Sequence, residues 1–129
     1  MLLAVVAAAL ASMVLASATG AAGTRLRATL KAGSHHPRAG TKWRYSVKAT
    51  RGGKPIAARV TVQVVDPTGT AHAVEYDATK RKIVNRRFVG VFRDYVTWPA
   101  TSRGFPLRLR VTVRAGSAVR TLSYRVVAR

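Results

Sequence analysis

The 129-residue sequence contains no cysteine. No disulfide can staple the fold, and lipoprotein processing, which needs a cysteine, is excluded. The fold must stand on its core alone. Acidic side chains are nearly as scarce: Asp66, Glu75, Asp77 and Asp94 face 23 Lys and Arg. Charge of either sign is missing from Met1 to Gly23, and both methionines, Met1 and Met13, lie in that stretch. Beyond it there is no amphipathic helical stretch, no internal repeat and no linker long enough to divide the chain.

What the first stretch does have is a run of alanines set with Leu2, Leu3, Val5, Val6, Leu10, Val14 and Leu15. It dissolves into Ala16-Ser17-Ala18, a small-x-small pattern that fits a signal-peptidase cleft. Residues 1–23 therefore read as the apolar helix of a secretory signal, with cleavage after Ala18. A positively charged leading region is missing from Met1-Leu2-Leu3, so either the α-amino group supplies the charge there or the true start lies upstream. The alternative is an uncleaved anchor, since the run just reaches the roughly 20 residues that cross a bilayer. An Ala-rich centre is only weakly driven into hydrocarbon, which favours cleavage. The expected location is secreted or extracytoplasmic, at the cell envelope.

Residues 24–129 then form one domain of ordinary size. Its net charge of +19 opposes compaction by self-repulsion and favours acidic partners. Arg outnumbers Lys 17 to 6, which a GC-rich coding bias would also produce. Both a solvated basic surface and contact with polyanions fit that balance.

From Arg25 the sequence alternates apolar and polar residues, the mark of strands with one buried face. Leu26, Ala28 and Leu30 alternate with Arg25, Arg27, Thr29 and Lys31; Trp43, Tyr45, Val47 and Ala49 alternate with Lys42, Arg44, Ser46 and Lys48. Val60, Val62 and Val64 follow the same rule, as do Leu107, Leu109, Val111 and Val113 against Arg108, Arg110, Thr112 and Arg114. A last strand over Val119–Val127 points Leu122, Tyr124 and Val126 one way. Ala71–Asp77 and Phe88–Trp98 read as further strands, with a strand and turn between them. Gly52-Gly53, Asp66-Pro67-Thr68-Gly69 and Ala115-Gly116-Ser117 are turn signals. About seven short strands with turns every 8 to 15 residues predict an all-β chain: a single immunoglobulin-like antiparallel sandwich behind the signal helix.

The order Pro37-x-Ala39-Gly40, strand, Gly53-Lys54-Pro55-Ile56, valine-rich strand, Asp66-Pro67-x-Gly69, Phe88-x-Gly90-x-Phe92 and a final hairpin resembles bacterial secreted immunoglobulin-like modules. The YtkA-like and copper-resistance-type sandwiches are the nearest group. The resemblance covers most of Leu26–Val127 and implies a seven-stranded sandwich used for adhesion, scaffolding or, in some members, metal carriage.

Two side-chain sets carry candidate chemistry. His35, His36 and His72, the last near Glu75, are neutral ligands that suit copper or zinc. Adjacent histidines in an extended segment point opposite ways, however, and no Met-rich segment accompanies them, so polar loop histidines are the expected reading. Lys80, Arg81, Lys82, Arg86 and Arg87 place five cations within eight residues on an exposed hairpin, a local field for phosphates or sulfates. Alternation also leaves Arg108, Arg110 and Arg114 as a row on an outer sheet face. Nucleic-acid readers add exposed aromatics for stacking, and the aromatics here occupy inward positions, so nucleic acid is not the expected partner. Glu75 and Asp77 beside Lys80–Lys82 read as ion pairs, and no nucleophile, base and orienting group converge. The expectation is a non-catalytic envelope module without cofactor that contacts anionic surfaces or another protein. A copper or zinc carrier is the alternative.

Overall fold

The computed structural model describes residues 25–76 and 80–129. The signal helix, its cleavage point and the Asp77 half of the Glu75–Asp77 pair lie outside the described residues. The described chain is all-β with antiparallel sheets; its single helical turn is a 3-10 turn at Ala100–Ser102.

In the first sheet, β2 (Lys42–Arg51) is central. It pairs with β1 (Leu26–Ala32) on one side, and with β3 (Lys54–Pro55) and β9 (Val91–Thr97) on the other. In the second sheet, β10 (Leu107–Ala115) lies between β11 (Ala118–Val126) and β4 (Ala57–Val65). The free side of β4 takes β5 (Ala71–Ala73) near one end and β8 (Arg86–Val89) near the other. Between these two, β6 (Glu75–Tyr76) and β7 (Arg81–Lys82) form a small hairpin.

Period-two alternation is what makes these strands pack. Trp43, Tyr45, Val47 and Ala49 of β2 meet Val60 and Val62 of β4 and Leu109, Val111 and Val113 of β10 in one apolar cluster. Ile83 is fully buried in the same cluster. Its N–H donates to the Val74 carbonyl (2.7 Å), and its carbonyl accepts from the Val62 N–H (3.0 Å), so the small hairpin is pinned to β4 through the core.

Two expected strands are broken. Phe88–Trp98, read as one strand, divides at Gly90, where the chain leaves the second sheet and joins the first. Gly90 has φ 71°; its N–H donates to the Ile56 carbonyl (2.9 Å), and its carbonyl accepts from the Ala49 N–H (2.8 Å). A Cβ added at Gly90 would sit 3.0 Å from Pro55 Cβ. Gly90→Ala is therefore expected to destabilise the domain by about 1–3 kcal/mol, read as a lower urea midpoint. An unchanged midpoint would show that the crossing is not constrained. Ala71–Asp77 divides in the same way at Val74, whose N–H reaches back to the Val62 carbonyl (3.2 Å).

The loop after β1 also crosses over, and residues 35–39 run alongside the end of the chain. The Val127 and Arg129 N–H groups donate to the His35 and Pro37 carbonyls (2.8 and 2.9 Å), while the Ala39 N–H donates to the Arg129 carbonyl (2.9 Å). Trp43 Nε1 donates to the Ser34 carbonyl (2.9 Å) and the Tyr124 hydroxyl to the Gly33 carbonyl (2.6 Å). A Cβ at Gly33 would lie 2.8 Å from Trp43 Nε1, so only glycine lets the backbone pass the indole this closely.

Candidate anion-binding face

The five clustered cations of the sequence do not act as one patch. Successive strand residues face opposite ways, so Arg86 and Arg87 part. Arg86 turns toward the gap between the sheets and stacks over the Tyr76 ring at 3.9 Å. Arg87 projects from the outer face of the second sheet, in register with Arg59. Lys82 lies opposite Glu75 and Arg81 opposite Tyr76 in the β6–β7 hairpin, with Lys80 at φ 56° in the turn before them.

A different constellation forms instead. Cross-strand register places Arg87, Arg59 and Arg114 side by side on β8, β4 and β10. They line an open cleft of about 720 Å³ with Ala57, Asn85, Ala115 and Gly116. Asn85 has φ 47°; its N–H donates to Thr61 Oγ1 (3.0 Å), and its carbonyl accepts from Arg59 Nη1 (3.0 Å). That bond steadies the middle guanidinium of the row. Farther along the same face, Arg108 stands opposite Arg125, and Arg110 donates from Nε and Nη2 to Gln63 Oε1 (3.2 and 2.9 Å). Between the arginines lie short polar side chains: Thr121, Thr112 and Thr61 share one row across three strands.

The outer face of the first sheet carries as many cations, distributed by a different rule. There Arg27 opposes Thr50, Lys48 opposes Thr29 and Val91, and Lys31 and Arg93 oppose Ser46. Lys42 opposes Thr97, and Arg44 opposes Tyr95. On that outer face every cation has uncharged cross-strand neighbours; the opposed pair Arg51–Lys54 of the same sheet flanks the Gly52-Gly53 turn in line with Leu26, off that face. The second sheet's outer face has three opposed pairs, Arg59–Arg87, Arg59–Arg114 and Arg108–Arg125. Like charges directly opposite each other destabilise a sheet. Guanidinium groups held this way offer forked donors that match the paired oxygens of phosphate, sulfate or carboxylate.

The histidines do not converge. His35 stacks on Tyr124 (4.2 Å, 4°), and its Nδ1 lies 2.6 Å from the Arg125 carbonyl. A carbonyl only accepts, so Nδ1 carries the proton, and His35 fastens the crossing segment to β11. The exposed His36 donates its backbone N–H to Ser34 Oγ (3.0 Å). His72 lies beyond β11, β10 and β4, on the opposite edge of the second sheet. Among the described residues no three His, Asp or Glu side chains come together in a way that could hold a metal ion.

His72 instead donates from Nε2 to Asp66 Oδ2 (2.8 Å), while Asp66 Oδ1 accepts from the Thr68 and Thr70 N–H groups and the Thr68 hydroxyl. The His72 bond, then those from Thr68, hold the Asp66 carboxyl well below the usual carboxylate range. A lowered carboxyl contributes stability that is present above its unfolded value and lost as pH falls. Asp66→Asn is therefore expected to lower the urea midpoint at neutral pH, with the gap to the parent closing below about pH 4. A gap that persists unchanged into acid would assign the loss to geometry rather than charge.

A second cleft, about 600 Å³, is lined by Tyr45, Tyr76, Asp94 and Tyr95 with Lys31, Arg44 and Arg93. Asp94 is a buried charged residue and faces Tyr45 across β2 and β9. Burial, and after it the Asp94 charge, push the Tyr45 hydroxyl above the ordinary phenol range.

No protein-family model matches the sequence, and no curated protein matches it; neither comparison joins it to the YtkA-like or copper-resistance-type group. Among solved structures, the chain is similar to a DUF4466 family protein from Parabacteroides merdae ATCC 43184. The TM-score is 0.47 at 16% identity, over 80% of this chain and 45% of that one. It is also similar to a DUF4426 family protein from Pseudomonas aeruginosa PAO1, with a TM-score of 0.42 at 18% identity over 78% of this chain and 86% of that one. The chain thus spans less than half the length of the first of these.

Proposed function

We propose that this chain is an exported, non-catalytic, immunoglobulin-like β-sandwich module that binds anionic components of the cell envelope on the outer face of its second sheet. The strand pairing supports the sandwich. β1, β2 and β9 form one layer and β11, β10 and β4 the other, with residues 35–39 crossing from β1 to the end of β11. The apolar, charge-free run of residues 1–23 supports export.

One observation carries the anion reading: like charges oppose one another on the outer face of one sheet and are kept apart on that of the other. A coding bias toward arginine would not distinguish the faces. Repulsion within Arg87–Arg59–Arg114 is relieved when oxyanions lie between the guanidinium groups. The bound anion and the folded sheet thereby stabilise each other.

The test compares two triple variants of equal net charge against inorganic polyphosphate at rising salt. Arg59, Arg87 and Arg114 changed to Gln should lower affinity and flatten the dependence of log K on log salt by about 2 to 3. Arg27, Lys48 and Arg93 changed to Gln should bind much as the parent does. Equal loss in both would mean that net charge alone matters, and the face would have no special role.

A further inference from the structure

The arginine row lies at one particular end of the domain, and that end is also where the chain enters it. Leu26 is in register with Arg51, and Arg51 with Lys54. The turn at Gly52-Gly53 therefore sits beside the first described residue, Arg25. β4 begins two residues after Pro55, the β10–β11 hairpin closes at Gly116, and the β8–β9 crossing turns at Gly90, all at this same end. Arg25, Arg51, Lys54, Arg59, Arg87 and Arg114 thus gather there, and no described acidic residue accompanies them.

Exposed apolar side chains gather there as well. Val89, next to the arginine row and opposite Ala57, is 70% exposed, and Val119, directly opposite Arg114, is 39% exposed. A β-branched apolar residue left this open beside guanidinium groups is not placed by the core. It suits a surface whose charged layer overlies hydrocarbon. The sequence immediately before Arg25 is the apolar run of residues 1–23, so until that run is cleaved this is the end of the domain from which the chain leads to the membrane.

We infer that this end of the domain docks on a bilayer bearing anionic phospholipid. In this arrangement Arg59, Arg87 and Arg114 engage headgroup phosphates, Arg51 and Lys54 add surface attraction, and Val89 and Val119 reach the headgroup–acyl boundary. Each basic side chain near an anionic surface strengthens binding about fivefold, and each buried methylene adds a smaller factor. The inference rests on the anion-binding reading and narrows its ligand from any oxyanion to a lipid headgroup at a membrane surface.

The absence of cysteine makes the test site-specific in the full chain. Val89→Cys and Phe105→Cys each introduce one thiol for an environment-sensitive fluorophore. Phe105 is 55% exposed and precedes β10, about 30 Å from the Gly116 hairpin by strand rise. With phosphatidylcholine vesicles containing phosphatidylglycerol, the label at 89 should shift to the blue and be quenched by lipid-borne quenchers. The label at 105 should do neither. Inorganic polyphosphate should leave the label at 89 unshifted while still binding.

If the labels at 89 and 105 respond alike, or pure phosphatidylcholine gives the same shift at 89, the docking inference is overturned. The anion reading would stand in that case as long as polyphosphate binding still depends on the arginine row. If polyphosphate binding is indifferent to that row, the anion reading itself fails, whatever the labels report. A Val89→Ser, Val119→Ser double variant checks the apolar contribution. It should weaken vesicle binding about tenfold and leave polyphosphate binding unchanged; equal vesicle binding would count against docking.

Discussion

An Arg59→Glu chain is expected to be more stable than the parent at low salt and to bind polyanions far more weakly. Arg59 sits between Arg87 and Arg114 in cross-strand register, so one substitution turns two repulsive pairs into two attractive ones. Each such pair contributes roughly 0.2–1 kcal/mol. The exposed bond from Arg59 Nη1 to the Asn85 carbonyl is lost, and its net worth is about 0.5–1.5 kcal/mol, at the low end for a solvated pair. The balance is a gain of about 1 kcal/mol at low salt. Because these charges are exposed, that gain should shrink toward zero as salt rises and the screening length falls. Binding moves the other way: the variant removes the central cation and adds an anion, so affinity for polyphosphate should drop by tenfold or more, with a flatter salt dependence. Urea unfolding at low and high salt, paired with a binding titration, reads both effects. A variant less stable than the parent at low salt would mean that the three arginines do not repel in the free protein, and the case for a face shaped by its ligand would collapse.

The largest effect on folding is expected at Trp98. It is 2% exposed and meets the edge of Trp43 at 5.4 Å and 69°. Its carbonyl accepts from the Gly40 N–H (2.9 Å), so the ring anchors the loop at the end of the sandwich opposite Gly116. Truncation of a buried Trp to Ala costs about 3–5 kcal/mol. With no disulfide to help, that is a large share of the roughly 5–15 kcal/mol that holds a domain of this kind together. Trp98→Ala should therefore be partly or wholly unfolded at 37 °C, seen as loss of near-ultraviolet circular dichroism. Trp98→Phe should be much milder, because Trp98 Nε1 is buried without a hydrogen-bond partner. The smaller ring surrenders volume but no bond, at a cost of under about 2 kcal/mol. A Phe variant as damaged as the Ala variant would show that the indole nitrogen is satisfied after all.

Alternation made most of the strands legible in the sequence. β1, β2, β4, β10 and β11 fall where apolar and polar residues alternate, because burial of one face is a local pattern. The breaks were harder to see. Phe88–Trp98 is rich in valine and aromatic residues from end to end, and only the pairing of Gly90 with Ile56 and Ala49 makes it two strands in different sheets. The candidate site suffered the same limitation. Arg86 and Arg87 looked like part of one cluster with Lys80–Lys82, since proximity along a chain is easily mistaken for proximity on a surface. The arginine row depends instead on contacts between residues 59, 87 and 114, whose register is fixed by distant strands. Arg114 was visible as an outward residue of β10. Nothing local pairs it with Arg59, and Arg125 carries no local signal for the same reason. His35 shows the converse, for its ring is spent on Tyr124 and the Arg125 carbonyl, a bond that no motif announces.

The crossing segment after β1 has a mechanical consequence. Residues 35–39 and 127–129 run in the same direction, joined by three backbone bonds. If the domain is held at its N-terminal end and pulled at Arg129, the two segments are drawn past each other along their length. The three bonds then share the load at once, like a lap joint in shear, and none can open before the others. A hairpin pulled from its open end would instead unzip one bond at a time. The domain should thus resist stretching along this axis far better than its thermodynamic stability alone would suggest.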